Sequence, residues 1–112
     1  MSWDVYVQDI PRDASTPGDI PDDFQPVGLG LAHEDVIAAA RQVGGTVDAS
    51  DPAWATWQGA GYDIELNLGD EPVDSFAIHC RGDADACRGA AQGLIEALGV
   101  RAFVVEDGDI IG

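Results

Sequence analysis

The clearest structural signal in this chain is the alternating stretch at residues 63–68, Asp63-Ile64-Glu65-Leu66-Asn67-Leu68. Successive side chains of a β-strand point to opposite faces of its sheet. The three apolar side chains are therefore expected to face a core, and the three polar ones to face outward. The stretch predicts a half-buried strand.

Similar patterns on both sides of this stretch predict further strands. The predicted strands span residues 3–8, 54–58, 63–68, 73–81 and 100–106. Glycine- and proline-containing segments at 59–61 and 69–72 supply turns between the three central strands. Those three strands are therefore expected to form an antiparallel meander.

Two helices are predicted from apolar residues at helical spacing. The first spans 33–43 and ends before Gly44 and Gly45; the second begins near Asp83 or Asp85 and ends at Gly99. The element order is β-α-β-β-β-α-β. This order predicts an α+β two-layer sandwich, with a mostly antiparallel five-stranded sheet and both helices on one face.

The length of 112 residues favours a single domain over 1–112. A long segment at 9–30, rich in proline and aspartate, shows no periodicity and is expected to be a loop. Ile20 and Phe24 are expected to anchor this loop to the rest of the domain.

The charge balance limits the partners that the chain can approach. It has 21 acidic residues against five arginines, no lysine, and a formal net charge of −16. Such a surface repels nucleic acid and anionic membranes and attracts basic proteins. An alternative is that the acidity reflects codon bias in a GC-rich genome or adaptation to salt.

The chain is expected to be cytoplasmic. It has no apolar run near the 18 residues of a membrane span, and its first residues lack the basic start of a signal peptide. Cys80 and Cys87 are accordingly predicted to be buried free thiols rather than a disulfide. They are too few and too widely spaced for a zinc site, even with His33 and His79, and no metal or cofactor is expected.

Catalytic motifs are weak in this sequence, and we expect no enzyme. His79 and Cys80 are neighbours on a predicted strand and must point to opposite faces. His33 could approach Cys87, but an acidic protein disfavours the thiolate that cysteine catalysis needs. Glycines at 28 and 30 lack the third glycine of a nucleotide-binding loop, and aspartates at 83–85 and 107–109 lack the spacing of a calcium loop.

The outward side of the sheet is the candidate binding surface. Trp54 and Trp57 are three residues apart, so one of them is expected to lie in the core and the other outside. Exposed aromatic side chains among carboxylates are typical of protein-binding surfaces. The alternative is an aromatic cluster beneath the long loop. The candidate binding residues are Tyr6, Trp57, Asp63, Glu65, Asn67 and His79.

Several segments resemble a family of small uncharacterised bacterial proteins. They are 1–11, beginning Met1-Ser2-Trp3-Asp4-Val5, then 20–24, 51–54, 73–76 and 79–82. The resemblance implies a bacterial cytoplasmic origin and brings no activity or ligand with it.

The favoured function is a non-catalytic acidic module that binds a basic partner protein, by analogy with small immunity or inhibitor proteins. One alternative is an enzyme or small-ligand-binding protein that uses Tyr6, Glu65 and His79 on the outer face. Another is a housekeeping domain whose acidity comes only from its genome.

Overall fold

The computed structural model describes residues 3–112, which fold into an α+β domain with two helices and an antiparallel open sheet. A single 3₁₀ turn, Pro17–Asp19, lies in the long loop. The remaining elements are β1 (Trp3–Gln8), α1 (His33–Val43), β2 (Thr46–Asp48), β3 (Trp54–Gly59), β4 (Tyr62–Asn67), β5 (Phe76–Gly82), α2 (Ala84–Leu98), β6 (Arg101–Val104) and β7 (Ile110–Ile111).

The predicted count of five strands was wrong: the described residues form a seven-stranded sheet in the order β2-β3-β4-β5-β1-β6-β7. The two additional strands are its edges, β2 with three residues and β7 with two. Strands this short do not produce an alternation that can be recognised in a sequence. The predicted antiparallel neighbours β4 and β5 are confirmed, with Leu66 opposite Ile78.

One face of the sheet is buried in the core. Val5, Leu66 and Ile78 are fully buried on three adjacent strands. Helix α2 contacts β5, β4 and β1, while α1 contacts α2 and β2. Trp57 fills the β3 end of this core and donates an Nε1–H hydrogen bond of 2.7 Å to the carbonyl oxygen of Gly44, which satisfies its one polar group.

Helix α2 begins after Asp83 and ends before Gly99, two of the residues that the sequence indicated as possible helix ends. The side chain of Asp83 accepts a hydrogen bond of 3.2 Å from the backbone N–H of Ala86, so Asp83 is the N-cap. Gly99 ends the helix in the left-handed region, with φ of 67°, where a residue without a Cβ is favoured. At the start of α1, the carboxylate of Asp35 accepts a bond of 3.0 Å from the N–H of Ala32.

The prediction of free thiols was wrong. Cys80 in β5 and Cys87 in α2 form a disulfide, with their Cα atoms 5.8 Å apart. Cys80 faces the core because it shares its parity with Ile78, and Cys87 is on the buried stripe of α2. The two thiols converge because the tight connection at Gly82 and Asp83 folds α2 back over β5.

The first part of the long loop is attached to the sheet by hydrogen bonds. The guanidinium of Arg101 donates to the carbonyl oxygen of Pro11, and the N–H of Ile110 donates to that of Ser15 over 3.3 Å. Leu31 then pairs with Val73 in an isolated antiparallel bridge. Ile20 and Phe24, the expected anchors, are both half-buried.

Candidate functional site

The face of the sheet opposite the core, called here the outer face, carries its side chains in rows that cross the strands. Strand pairing aligns one such row from β3 to β7. This aromatic row consists of Trp54, Asn67, Ala77, Tyr6, Phe103 and Ile110. Trp54 and Tyr6 are each 46% exposed, so the row presents apolar area to solvent.

A second row lies beside it and is polar. This acidic row consists of Asp48, Thr56, Glu65, His79 and Asp4. It places three carboxyl groups and one imidazole across five adjacent strands. Both rows cross β3, β4, β5 and β1. On each of these strands their members are two positions apart, so their side chains are neighbours on the same face.

His79 and Asp4 form the best-defined polar contact of the outer face. Nδ1 of His79 lies 2.9 Å from Oδ1 of Asp4, between the adjacent strands β5 and β1. An ionised carboxylate can only accept, so the ring N–H is the donor. The contact is about 30% exposed on both sides, and it fixes the orientation of the imidazole relative to Glu65 on the next strand.

A cleft of about 280 Å³ lies at the β3–β5 end of the outer face. Its walls are Trp54, Asp63, Glu65, His79 and Arg81. Two of these residues, Asp63 and Glu65, are carboxylates of β4, and Arg81 lies opposite Asp63 on β5. A cation entering this cleft would meet the indole of Trp54 and the carboxylate of Glu65, while the Arg81 guanidinium offsets the charge of its cross-strand neighbour Asp63.

The end of the acidic row is held in its ionised form. The Ser50 hydroxyl donates to Oδ1 of Asp48 over 2.6 Å, and the Ser50 backbone N–H donates over 3.0 Å. These two bonds, the hydroxyl first, lower the pKa of the Asp48 carboxyl. The backbone N–H groups of Ser15 and Thr16 lower the pKa of Asp19 in the same way, at the 3₁₀ turn.

Five of the six predicted site residues lie on the outer face strands with the expected parity: Tyr6, Asp63, Glu65, Asn67 and His79. Trp57 does not, because it is fully buried in the core. Trp54 is the tryptophan of the outer face. The spacing of the two residues required opposite faces but carried no information on which of them faced the core.

The alternative chemistries receive no supporting geometry in residues 3–112. Both cysteines are in the disulfide, and His33 lies against the carbonyl oxygen of Gly69, with Nε2 at 2.6 Å, rather than beside Cys87. Asp74 approaches the glycine-containing loop and accepts a bond of 3.3 Å from the N–H of Gly30, so a carboxylate stands where a phosphate would have to bind.

Asp107 is paired with Arg88, whose guanidinium pKa is raised by that contact. Arg88 also lies over the ring of Trp3, 5.6 Å from its centroid. Within residues 3–112, no group of three His, Cys, Asp or Glu side chains is placed to hold a metal ion. The helices in that range are too short or too polar to cross a membrane.

No known protein family, curated protein or solved structure matches this chain. The resemblance to small bacterial proteins stays a prediction, and the first two residues of its opening segment lie outside the described range.

Proposed function

We propose that this chain is a non-catalytic binding module that binds a basic partner protein on its outer face. In this proposal the two helices form a single layer on the other side of the sheet. The observation that carries the proposal is the juxtaposition of the aromatic row and the acidic row on one face. Aromatic side chains supply buried area in an interface, and carboxylates supply attraction and orientation.

Electrostatic attraction supports a basic partner. The net charge of −16 produces a long-range field, and Asp48, Glu65 and Asp4 concentrate negative charge beside the aromatic row. Attraction of this kind raises the association rate, and salt screens it over about 8 Å at physiological ionic strength. The same field makes nucleic acid and anionic membranes unsuitable partners.

The cleft beside Trp54 supports recognition of a lysine or arginine side chain. The half-exposed indole and the carboxylate of Glu65 line the same cleft, and Asp63 there lies opposite Arg81. A cation over an indole contributes roughly 0.5–1 kcal/mol at an exposed site and about 2 kcal/mol when water is excluded. A partner that covers the cleft would exclude water from it and so strengthen the contact between the cation and the indole.

The polar lining of the cleft favours a protein over a free small molecule. Sites for small molecules are typically about 300–1,000 Å³ and mainly apolar. This cleft, at about 280 Å³, is at the lower limit of that range, and four of its five lining residues are ionisable. Tyr6, which the alternative enzyme site required beside Glu65 and His79, lines a different depression near Ser75.

A small cationic ligand is the second candidate, since the His79–Asp4 contact orients the imidazole at the edge of this cleft. A housekeeping domain whose acidity comes only from its genome is the third. The disulfide bears on location: such bonds persist in oxidising compartments, which argues against the cytoplasmic location expected from the sequence.

The test is capture of partners on immobilised protein, followed by kinetics with the purified partner. Glu65→Lys on the outer face is compared with Glu96→Lys on α2, because both substitutions change the net charge equally. The proposal expects Glu65→Lys to slow association about tenfold or more and Glu96→Lys to change it much less. Trp54→Ala should mainly speed dissociation.

The proposal fails if no protein is retained at low salt, or if the two charge variants behave alike. Equal behaviour would mean that net charge alone attracts the partner. Retention of small cations without retention of any protein would favour the second candidate.

A further inference from the structure

A second pocket lies at the opposite end of the outer face from the cleft. It has a volume of about 160 Å³. This apolar pocket is lined by Gln8, Ile10, Pro17, Ile20, Phe103 and Ile110. The long loop forms one wall and the sheet forms the other.

The loop wall is held in place by hydrogen bonds before any ligand arrives. The carboxylate of Asp19 accepts from the backbone N–H groups of Ser15 and Thr16, at 3.0 and 3.2 Å, and closes the 3₁₀ turn that carries Pro17. The N–H of Ile110 in β7 donates to Ser15 and ties this turn to the sheet. The pocket is therefore a formed feature of the fold.

Its size matches one apolar side chain. A protein cavity of about 150 Å³ lined by Leu, Ile and Phe holds benzene. The apolar pocket has a similar volume and a similar lining, with Gln8 as its one polar side chain, but it opens to the surface, so a side chain can enter it from outside. A leucine, isoleucine, methionine or phenylalanine side chain would fill it, whereas a charged head group would lose its hydration there.

The pocket is continuous with the proposed binding surface. Phe103 and Ile110 line the pocket and are also the last members of the aromatic row that begins at Trp54. Four strand steps separate Trp54 from Phe103, which corresponds to roughly 19 Å, the length of about six residues of extended chain.

We infer that the apolar pocket receives one aliphatic or aromatic side chain of the basic partner, while a lysine or arginine roughly 19 Å away enters the cleft beside Trp54. This inference rests on the proposed function. The partner is thus a protein with an apolar anchor and a cationic group at a fixed separation. The negative field of this protein attracts the partner. The apolar side chain in the pocket then fixes the position of the partner on the outer face.

Two probes test the inference. The first is benzene, titrated into labelled protein and followed by NMR; signals of Ile20, Phe103 and Ile110 are expected to shift together. Ile20→Glu should abolish these shifts by placing a carboxylate in the pocket. Val27→Glu is the matched control, because Val27 is in the same loop and is 72% exposed.

The second probe is a pair of capped peptides, Arg-Arg-Arg-Gly-Ser-Gly-Ser-Gly-Phe and the same peptide ending in Ser. The Phe peptide is expected to bind about tenfold more tightly or better. Ile20→Glu should remove that advantage, and Val27→Glu should keep it. If Ile20→Glu does not fold, Ile110→Ala gives a second variant, in which the advantage should fall.

The outcomes separate the inference from the proposed function. If both peptides bind equally and Glu65→Lys weakens the binding of both, the proposed function of the outer face is supported and the role of the apolar pocket is refuted. If Glu65→Lys leaves the affinity for both peptides unchanged, the proposed function fails and the inference fails with it. Absence of benzene shifts at the pocket residues would also overturn the inference.

Discussion

Trp54 and Trp57 belong to the same strand, β3, but lie on opposite faces of the sheet. Trp57 is fully buried and hydrogen-bonded to Gly44, whereas Trp54 is 46% exposed beside the acidic cleft. The rings of Trp57 and Tyr62 also meet edge to face, with ring centroids 5.3 Å apart. One tryptophan therefore contributes to stability and the other is available to a partner.

Replacing the two tryptophans should separate these roles. Trp57→Ala is expected to lower the free energy of unfolding by about 3–5 kcal/mol, because it leaves a large cavity in the core. Trp54→Ala should cost considerably less, because about half of its side chain is already exposed and no core cavity is left. Urea denaturation followed by far-UV circular dichroism measures both. Equal losses would contradict the assignment of faces.

Removing the disulfide should destabilise the protein without changing its sheet. The double substitution Cys80→Ala and Cys87→Ala is expected to cost about 2–4 kcal/mol, since it releases a constraint on the unfolded chain and removes two buried sulfur atoms. Denaturation with and without a reductant provides the measurement. The reductant should weaken the native protein and leave the double variant unaffected. Two reactive thiols in the denatured, unreduced protein would contradict the bond.

The pKa of Asp48 should depend on Ser50. The Ser50 hydroxyl is the largest cause of its lowered pKa, so Ser50→Ala should raise the pKa of Asp48 toward its ordinary value of 3.8. Carboxyl ¹³C NMR during a pH titration measures the change. Asp19, whose lowered pKa comes from other donors, serves as the internal control and should not move.

The sign of the associated effect on stability follows from linkage. A carboxyl with a lowered pKa in the folded state stabilises the fold above its unfolded-state pKa, and this contribution is lost as the pH falls through the folded-state pKa. For Asp48 and Asp19 the loss should therefore occur in acid, from about pH 4 downward. Because the other carboxyl groups also titrate here, the contribution of Asp48 is measured as the difference in the acid dependence of the free energy of unfolding between the native protein and Ser50→Ala, and identical curves would contradict its assignment.

Salt should stabilise the protein. At a net charge of −16 the compact state repels itself, and raising the ionic strength from about 0.01 to 0.15 M shortens the screening length from about 30 to 8 Å. The free energy of unfolding, measured by urea denaturation at several NaCl concentrations, should rise over this range. Asp22→Asn with Asp23→Asn in the exposed loop should reduce the slope, and a slope of zero would contradict the argument.

The sequence by itself determined the local structure and the parity of the strands. Alternation in 63–68 and 73–81 placed Leu66 and Ile78 inward and Glu65 and His79 outward, because successive strand side chains must point to opposite faces. Helical spacing determined both helices in the same way, and Asp83, one of the two N-cap candidates, begins α2. These properties depend on a few consecutive residues, so they can be predicted without knowledge of the fold.

Only the tertiary structure decided how these elements meet. It placed Trp57 rather than Trp54 in the core, added β2 and β7 at the sheet edges, and brought Cys80 within bonding distance of Cys87. It also aligned Asp4 with His79, which are 75 residues apart, and built the apolar pocket from the loop and the sheet. Such contacts depend on strand order and register between distant segments, and a local pattern specifies which side of a strand is buried but not what lies across from it.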